Sequence, residues 1–501
     1  MSIPTSADLR PPSEIREAQL LRLAFLFLIA GTVVLSLGLG KATNLDWNRV
    51  LSPFLFLPVW GSAAWLIHRK LNLRQPGRDP LLLPLVLLLS GWGMILNWRL
   101  SFEYGARQTA WFVVSIALLL ALVEAPPDLL WLRRYRLVWL SLGLLLTAAT
   151  LIFGTNPSGG ESRLWLGCCG MYMQPSEPLR LLLVAYLASY LAERISSSSR
   201  AQSAKLVPVM APLVVVWVVA IALLAAQRDL GAGSLFLGLL ALLLYIAFER
   251  WEVLALGAGL VVAGGLAGQV VSPVVQARLL DWLNPFSDPT GSSYQVLQSV
   301  IALAHGGLFG AGPGIGLPMY VPAVHTDFIY SALIEEWGLV GGIAVLGMYA
   351  VLVGRGLMAA ARSRYVYSGL LAAGLSAALG LQAILILGGT LLVLPLTGVT
   401  LPFLSYGGSS LTTSFVAAGI LILVSGERSS QRSLGASLDR VHAGLLLGWG
   451  VIALVLGWWV LVRGPEMLDR PENPRISTNL LPVLAVSALP PHIRERSLPE
   501  R

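Results

Sequence analysis

The chain has 501 residues, of which 56% are hydrophobic and only 12% charged, with a formal net charge of +8 and a mean hydropathy of +0.74. A soluble chain of this length carries about a quarter charged residues, so the composition excludes a large soluble domain and marks an all-α polytopic membrane protein. The positive balance does not point to nucleic acid, because the basic residues sit in short loops between apolar runs, as cytoplasmic loops do.

Residues 1–18 are polar and read as a cytoplasmic segment. The apolar run 19–40 is too long for a signal-peptide core and reads as a retained helix; with 52–69 it places two helices in 19–80. Ten more runs fall near 81–98, 107–125, 136–154, 178–193, 207–226, 231–247, 251–270, 327–353, 367–391 and 406–424. A linker from 431 leads to a last run at 442–462. A helix needs about 20 residues to cross the hydrocarbon, so the pattern predicts about thirteen spans.

Loop charge orients them. Arg69, Lys70, Arg74 and Arg78 share one loop, and Arg133, Arg134 and Arg136 another. Arg194, Arg200 and Lys205 follow, then Arg250, then Arg355, Arg362 and Arg364, then Arg428, Arg432 and Arg440. All fall on one side if the spans alternate, and the positive-inside rule makes that side cytoplasmic. The N-terminus is then inside and the tail 463–501 outside. The opposite face has two long loops, 155–177 and 271–326, rich in Gly, Pro, Ser and aromatics, where chemistry is expected. The adjacent Cys168 and Cys169 give no disulfide framework and too few ligands for structural zinc; they read as packing residues.

Four outer segments carry polar groups at the membrane boundary: "ESRLWLGCCGMYMQPSEPLR" (161–180), "QRDLGAGSL" (227–235), the stretch from "ARLLDWLNPFSDPTGSSYQVLQS" (277–299) through "HGGLFGAGPGIG" (305–316) into "YVPAVHTDFIYSALIEEWGLVGG" (320–342), and "LPLTGVTLPFLSYGGSS" (394–410). Charge at that depth faces a cavity or a partner, and irregular backbone there is buried or lines water. Singly, each has a structural reading. Glu177 and Arg180 are spaced as a helix ion pair, Asp229 as a helix cap and Asp288 as a turn residue. Asp327 reads either as a cap or, if Thr326 caps, as a free carboxylate. A low-dielectric wall raises such a pKa toward that of a general base, while helix dipoles and cations lower it. His325 reads as a second acid–base group or as a support. Glu335 and Glu336 lie about 12 to 14 Å further along at 1.5 Å per residue and are expected to bind partners inside the bundle.

"RLWLG…QPSE", "QRDLG", "NPFSDPTGSSYQVLQS", "HTDFIYSALIEEWGLVG" and "LPFLSYGGSS" in this order resemble the shape, elongation, division and sporulation (SEDS) family, the RodA- and FtsW-type proteins of bacteria, over residues 81–430. The resemblance implies a ten-helix core, here with two extra N-terminal helices and one C-terminal helix. It implies a peptidoglycan glycosyltransferase of the bacterial cytoplasmic membrane that polymerises lipid II onto undecaprenyl-pyrophosphate-linked glycan. It also implies a divalent cation, magnesium or manganese, with ligands unassigned, and a class B penicillin-binding protein as partner. The family's catalytic aspartate falls on Asp327. Its substrate-site positions fall on Arg163, Trp165, Glu177, Arg180, Asp229, His325 and Ser405, with Arg278 a further cation on this face. Three departures stand out: Arg228 replaces a usual proline, Trp165 is shifted by one, and the loop before "QPSE" is longer and holds the cysteine pair.

The tail "WWVLVRGPEMLDRPENPRISTN" (458–479) resembles the start of a class B penicillin-binding protein, or reads as a generic anchor. No Ser-x-x-Lys transpeptidase motif follows, so cross-linking is expected from a separate partner. Two rival functions use the same facts. A lipid II flippase would show paired broken helices in two related halves and ionisable groups near the midplane; no such repeat is seen. A scaffold that only activates a partner would leave Asp327 dispensable.

Overall fold

The computed structural model describes residues 12–42, 46–126, 128–156, 163–168, 170–197, 206–427 and 435–478. Its thirteen long helices match the thirteen predicted runs one for one. They are α1 (Pro12–Ala42), α2 (Trp47–Arg74), α3 (Leu82–Leu100), α4 (Phe102–Glu124), α5 (Arg136–Phe153), α6 (Ser176–Ser197), α7 (Leu206–Ala226), α8 (Leu230–Phe248) and α9 (Trp251–Val271), then, after two short outer helices α10 (Pro273–Leu283) and α11 (Tyr294–Gly306), α12 (Ile329–Arg362), α13 (Val366–Thr390), α14 (Gly408–Ser425) and α15 (Gly435–Val462). Eleven are long and apolar enough to cross a membrane by length and composition. The other two are α6, which carries Glu177, Arg180, Glu193 and Arg194, and α7, whose described apolar part is Ala211–Ala226.

Burial sorts these helices by place. In α13, 83% of the span window is buried, against 11% in α9, so α13 runs through the middle and α9 along the rim. α13 packs on α6, α8, α12, α14 and α15. Exposed Leu and Val side chains on α1, α5 and α9, such as Leu23, Leu145 and Val270, suit hydrocarbon, where a helix apolar all round is at home.

The basic loops gather at one end. Arg78 donates twice to Glu17, at 2.9 and 2.5 Å. Lys70 and Arg74 hold Glu124 at 2.5 Å each, and Arg355 pairs with Asp79. Arg200, Lys205, Arg428 and Arg432 lie outside the described residues.

The opposite end holds the four motif segments. A two-stranded hairpin, β1 (Leu166–Cys168) with β2 (Met171–Met173), precedes α6. The predicted outer loop 271–326 is a correction: it contains α10 and α11. α11 has 13 residues, about 20 Å of helix, too short to register as a span, yet nine of its residues from Val296 to Ala304 are buried. α10 lies across the turn after α13, with Arg278 Nη1 donating to Thr397 O at 3.0 Å and Trp282 Nε1 to Leu392 O at 3.0 Å.

α12 is broken near its N-terminal end. Gly338 has φ 70° and ψ −174°, a conformation open to glycine and strained for other residues. The backbone groups freed by the break are taken up by the loop after α11. Ala311 N donates to Glu335 O, Gly312 N to Glu336 O, and Leu339 N to Gly307 O, at 2.9 to 3.1 Å. Such backbone is tolerated at membrane depth only when protein satisfies it.

Candidate active site

Asp327 sits in the turn that leads into α12, and the loop before α14 holds that turn. Ser405 Oγ donates to Thr326 O at 2.6 Å and accepts from Leu401 N at 2.9 Å; Tyr406 N donates to His325 O at 2.8 Å. These bonds fasten the Asp327 turn to the loop before α14. Thr390 Oγ1, at the end of α13, reaches Asp327 O at 3.4 Å. The expected caps do not form. Phe328 is the N-cap of α12 with no side-chain bond, and the Thr326 hydroxyl turns back to Ala323 O at 3.2 Å. The Asp327 carboxyl is therefore not consumed by its helix.

Burial pushes the Asp327 carboxyl above the usual carboxylate range, against the opposing pull of the Arg278 guanidinium and the Thr326 hydroxyl. The two opposed effects named by the sequence are thus both present, and burial is the larger. Arg278 acts on Asp229 as well. There burial again raises the pKa, while the Ala232 N–H bond and Arg278 lower it. Arg278 is therefore a cation whose charge bears on both Asp327 and Asp229. Asp229 does cap α8, accepting from Ala232 N at 3.0 Å, and its other oxygen accepts from Gln174 Nε2 at 3.1 Å. That bond ties the segment before α6 to the one before α8. His325 stacks on Tyr104, with ring centroids 4.3 Å apart, and meets Tyr406 edge-on. Burial lowers its pKa to about 4, so the ring is neutral at pH 7.

The FtsW/RodA/SpoVE cell cycle protein family model matches residues 81–430, the stretch that holds ten of the long helices and every residue just described. The chain belongs to this family. Among its relatives, the peptidoglycan glycosyltransferase RodA of Mycobacterium tuberculosis is 34% identical over 427 residues, covering 82% of this chain and 90% of the relative. The stage V sporulation protein E of Bacillus subtilis is 31% identical, covering 70% and 98%. A solved structure described as the structural coordination of polymerization and crosslinking by a peptidoglycan synthase complex matches with a TM-score of 0.50 and 26% identity, over 76% of this chain and 97% of that one.

Within this family core the structure sorts the predicted site residues. The charge of Arg278 bears on both Asp327 and Asp229, and the ring of His325 lies between Tyr104 and Tyr406. Glu177 and Arg180 pair at 2.9 Å, as their spacing suggests. Arg180 is buried, and it donates to Gln382 at 2.5 Å while Gln382 donates to Thr400 O. The buried Ser405 hydroxyl is engaged at both donor and acceptor positions. Arg163 is exposed, and Trp165 is held through its backbone pairing with Thr155; among the described residues neither is bonded to the Asp327 group. Asp288 is the expected turn residue, accepting from Ser292 N at 3.0 Å.

Sequence reasoning missed the outer end of α4. Tyr104 stacks on His325. Gln108 donates to Ser405 O at 3.1 Å and accepts from Gly407 N at 3.2 Å. Arg107 faces the hairpin turn at Gly170. The signal was the polar run "EYGARQ" at the head of an apolar span, which resembled an ordinary loop end.

Proposed function

We propose that the chain polymerises lipid II at the outer face of the cytoplasmic membrane, with Asp327 as general base. The peptidoglycan glycosyltransferase activity is that of its RodA and FtsW relatives. The observation that carries the residue assignment is the uncapped, raised-pKa carboxyl of Asp327, in the turn held by the loop before α14 and under the charge of Arg278. The carboxylate takes the proton of the acceptor's 4-hydroxyl, that oxygen attacks C1 of the growing glycan, and undecaprenyl pyrophosphate leaves. Positioned cations stabilise a leaving pyrophosphate. Arg278 already bears on Asp327, and Arg163 and Arg107 are exposed.

A resident metal cage does not fit: among the described residues no three His, Cys, Asp or Glu come together as ligands. A magnesium or manganese ion would enter on the pyrophosphate oxygens, as such ions do with one or two carboxylates and substrate phosphates. The N-terminus is proposed to lie inside and residues 463–478 outside, which places the Asp327 end outside. A transpeptidase of the penicillin-binding class is the proposed partner. It is supported by the solved synthase complex that this chain resembles and by the likeness of the tail to the start of such a protein. Against the flippase reading, α12 is broken once near its outer end, and the acids of the site gather at that end of the bundle.

Purified chain in proteoliposomes with lipid II decides between the two. Glycan polymer on the lipid II face supports the enzyme; transbilayer movement of lipid II without polymer removes it.

A further inference from the structure

Glu335 lies about two turns into α12 and is fully buried. A carboxylate at that depth needs a partner. The neighbouring acid Glu336 is served from within the family core, by Arg99 at 2.7 Å. Glu335 is served from within the core by His305 Nδ1 at 3.2 Å and Leu317 N at 3.0 Å, and also from beyond it. Arg475, 45 residues past the last matched residue at 430, places Nε 2.8 Å from Glu335 Oε1 and Nη2 3.0 Å from Oε2. The same guanidinium donates to Gln298 Oε1 at 3.1 Å and to Leu317 O at 3.3 Å. It is itself buried, at 1% exposure. This two-pronged fork is the geometry that arginine, and not lysine, provides.

The segment that delivers it is built for the purpose. After α15, which packs on α8, α12 and α13, Met467 enters an apolar cluster with Leu297, Val300, Ile301 and Ala304 of α11. Gln298 Nε2 donates to Glu472 O at 2.9 Å. Asn473 Oδ1 accepts from Arg475 N at 3.0 Å, which fixes the turn that aims the arginine inward. Residues 463–478 thus cross α11 and end on α12, joining the two helices that flank the loop 307–328. That loop carries Asp327 at its end.

We propose that residues 463–478 are an intramolecular strap and that Arg475 is a positioning residue, which holds α11 and the outer half of α12 so that Asp327 is presented in its working position. The proposal rests on the reading of Asp327 as the base, and its test is chosen to fail separately from that reading. Hydrogen–deuterium exchange on the full chain is compared for wild type, Arg475→Ala, Arg475→Lys and the double variant Arg475→Ala with Glu335→Gln, alongside turnover of lipid II. Arg475→Ala is expected to speed exchange about tenfold or more in 294–336, with 82–124 unchanged. It is expected to lower turnover about tenfold at unchanged KM. Arg475→Lys should fall between, and the double variant should regain protection, because the uncompensated buried charge is gone. If Arg475→Ala does not fold, the lysine and double variants carry the comparison. Unchanged exchange in the variants overturns the strap. Faster exchange with wild-type turnover overturns the positioning role and leaves a packing contact. A wild-type chain that makes no polymer counts against the enzymatic reading, while the exchange data still decide the strap.

Discussion

At the scale of residues, the site is a contest between burial and charge. Asp327 is raised by burial and held down by Arg278, and a base works only as the carboxylate. Polymerisation should therefore fall as pH drops through that raised pKa. Arg278→Gln removes the lowering charge, so the acid limb of the pH–rate profile should move to higher pH; an unmoved limb would show that Arg278 does not act on the base. His325 is held neutral, near pKa 4 in place of 6.5. The unfolded chain takes up that proton first, so the contribution of His325 to stability is complete above pH 6.5 and is lost as pH falls from 6.5 toward 4. His325→Phe keeps the stacking on Tyr104 and should retain polymerisation within about threefold, whereas a proton-transfer role would cost about 10²-fold or more. The carboxylate and its histidine were legible in the sequence because charge is conspicuous in so apolar a chain. The hydroxyl and amide contacts of Ser405, Gln108 and Gln382 were not, since polar residues of this kind give no signal until the fold shows what they touch.

At the scale of elements, hydropathy located each long helix, because crossing hydrocarbon fixes length and composition together, but its ends were off by as much as nine residues, as at Arg362 of α12. It missed α10 and α11. α11 is buried by protein and not by lipid, so neither length rule applied. It missed the break in α12 as well, since a glycine in an apolar run looks like any other small residue. That break is specific: a Cβ at Gly338 would stand 2.4 Å from Gly310 N and Leu308 O, in addition to the cost of positive φ. Gly338→Ala is expected to destabilise the chain by about 1–3 kcal/mol or more, seen as a lower unfolding temperature in detergent. The same substitution at Gly264, where a Cβ meets nothing within 4 Å, should leave it unchanged. Equal midpoints for the two would show that the α12 crossing is not close-packed.

At the scale of the whole molecule, the two ends differ in kind. One end is tied by ion pairs among loops, Arg78 to Glu17 and Arg355 to Asp79; the other gathers Asp229, Arg278, Asp327 and the hairpin. The proposed topology puts the first end in the cytoplasm, on the positive-inside rule. Cys168 is exposed on the hairpin, so in a Cys169→Ala background a membrane-impermeant maleimide should label it in intact spheroplasts. Labelling only after lysis would invert the topology. The convergence of the four segments was anticipated from their shared face. The return of the tail onto α11 and α12 was not, because the pairing of Arg475 with Glu335 spans 140 residues and no local pattern announces it.

The measurement that bears most directly on the account is glycan polymerisation from purified lipid II by the wild-type chain and by Asp327→Asn. Both would be reconstituted with magnesium or manganese and with a transpeptidase partner that has no polymerase of its own. The asparagine side chain keeps the shape and removes the base. Long polymer from wild type and a loss of about 10²-fold or more from a folded Asp327→Asn chain is the expected result. Equal polymer from both would contradict the account and remove Asp327 as the base.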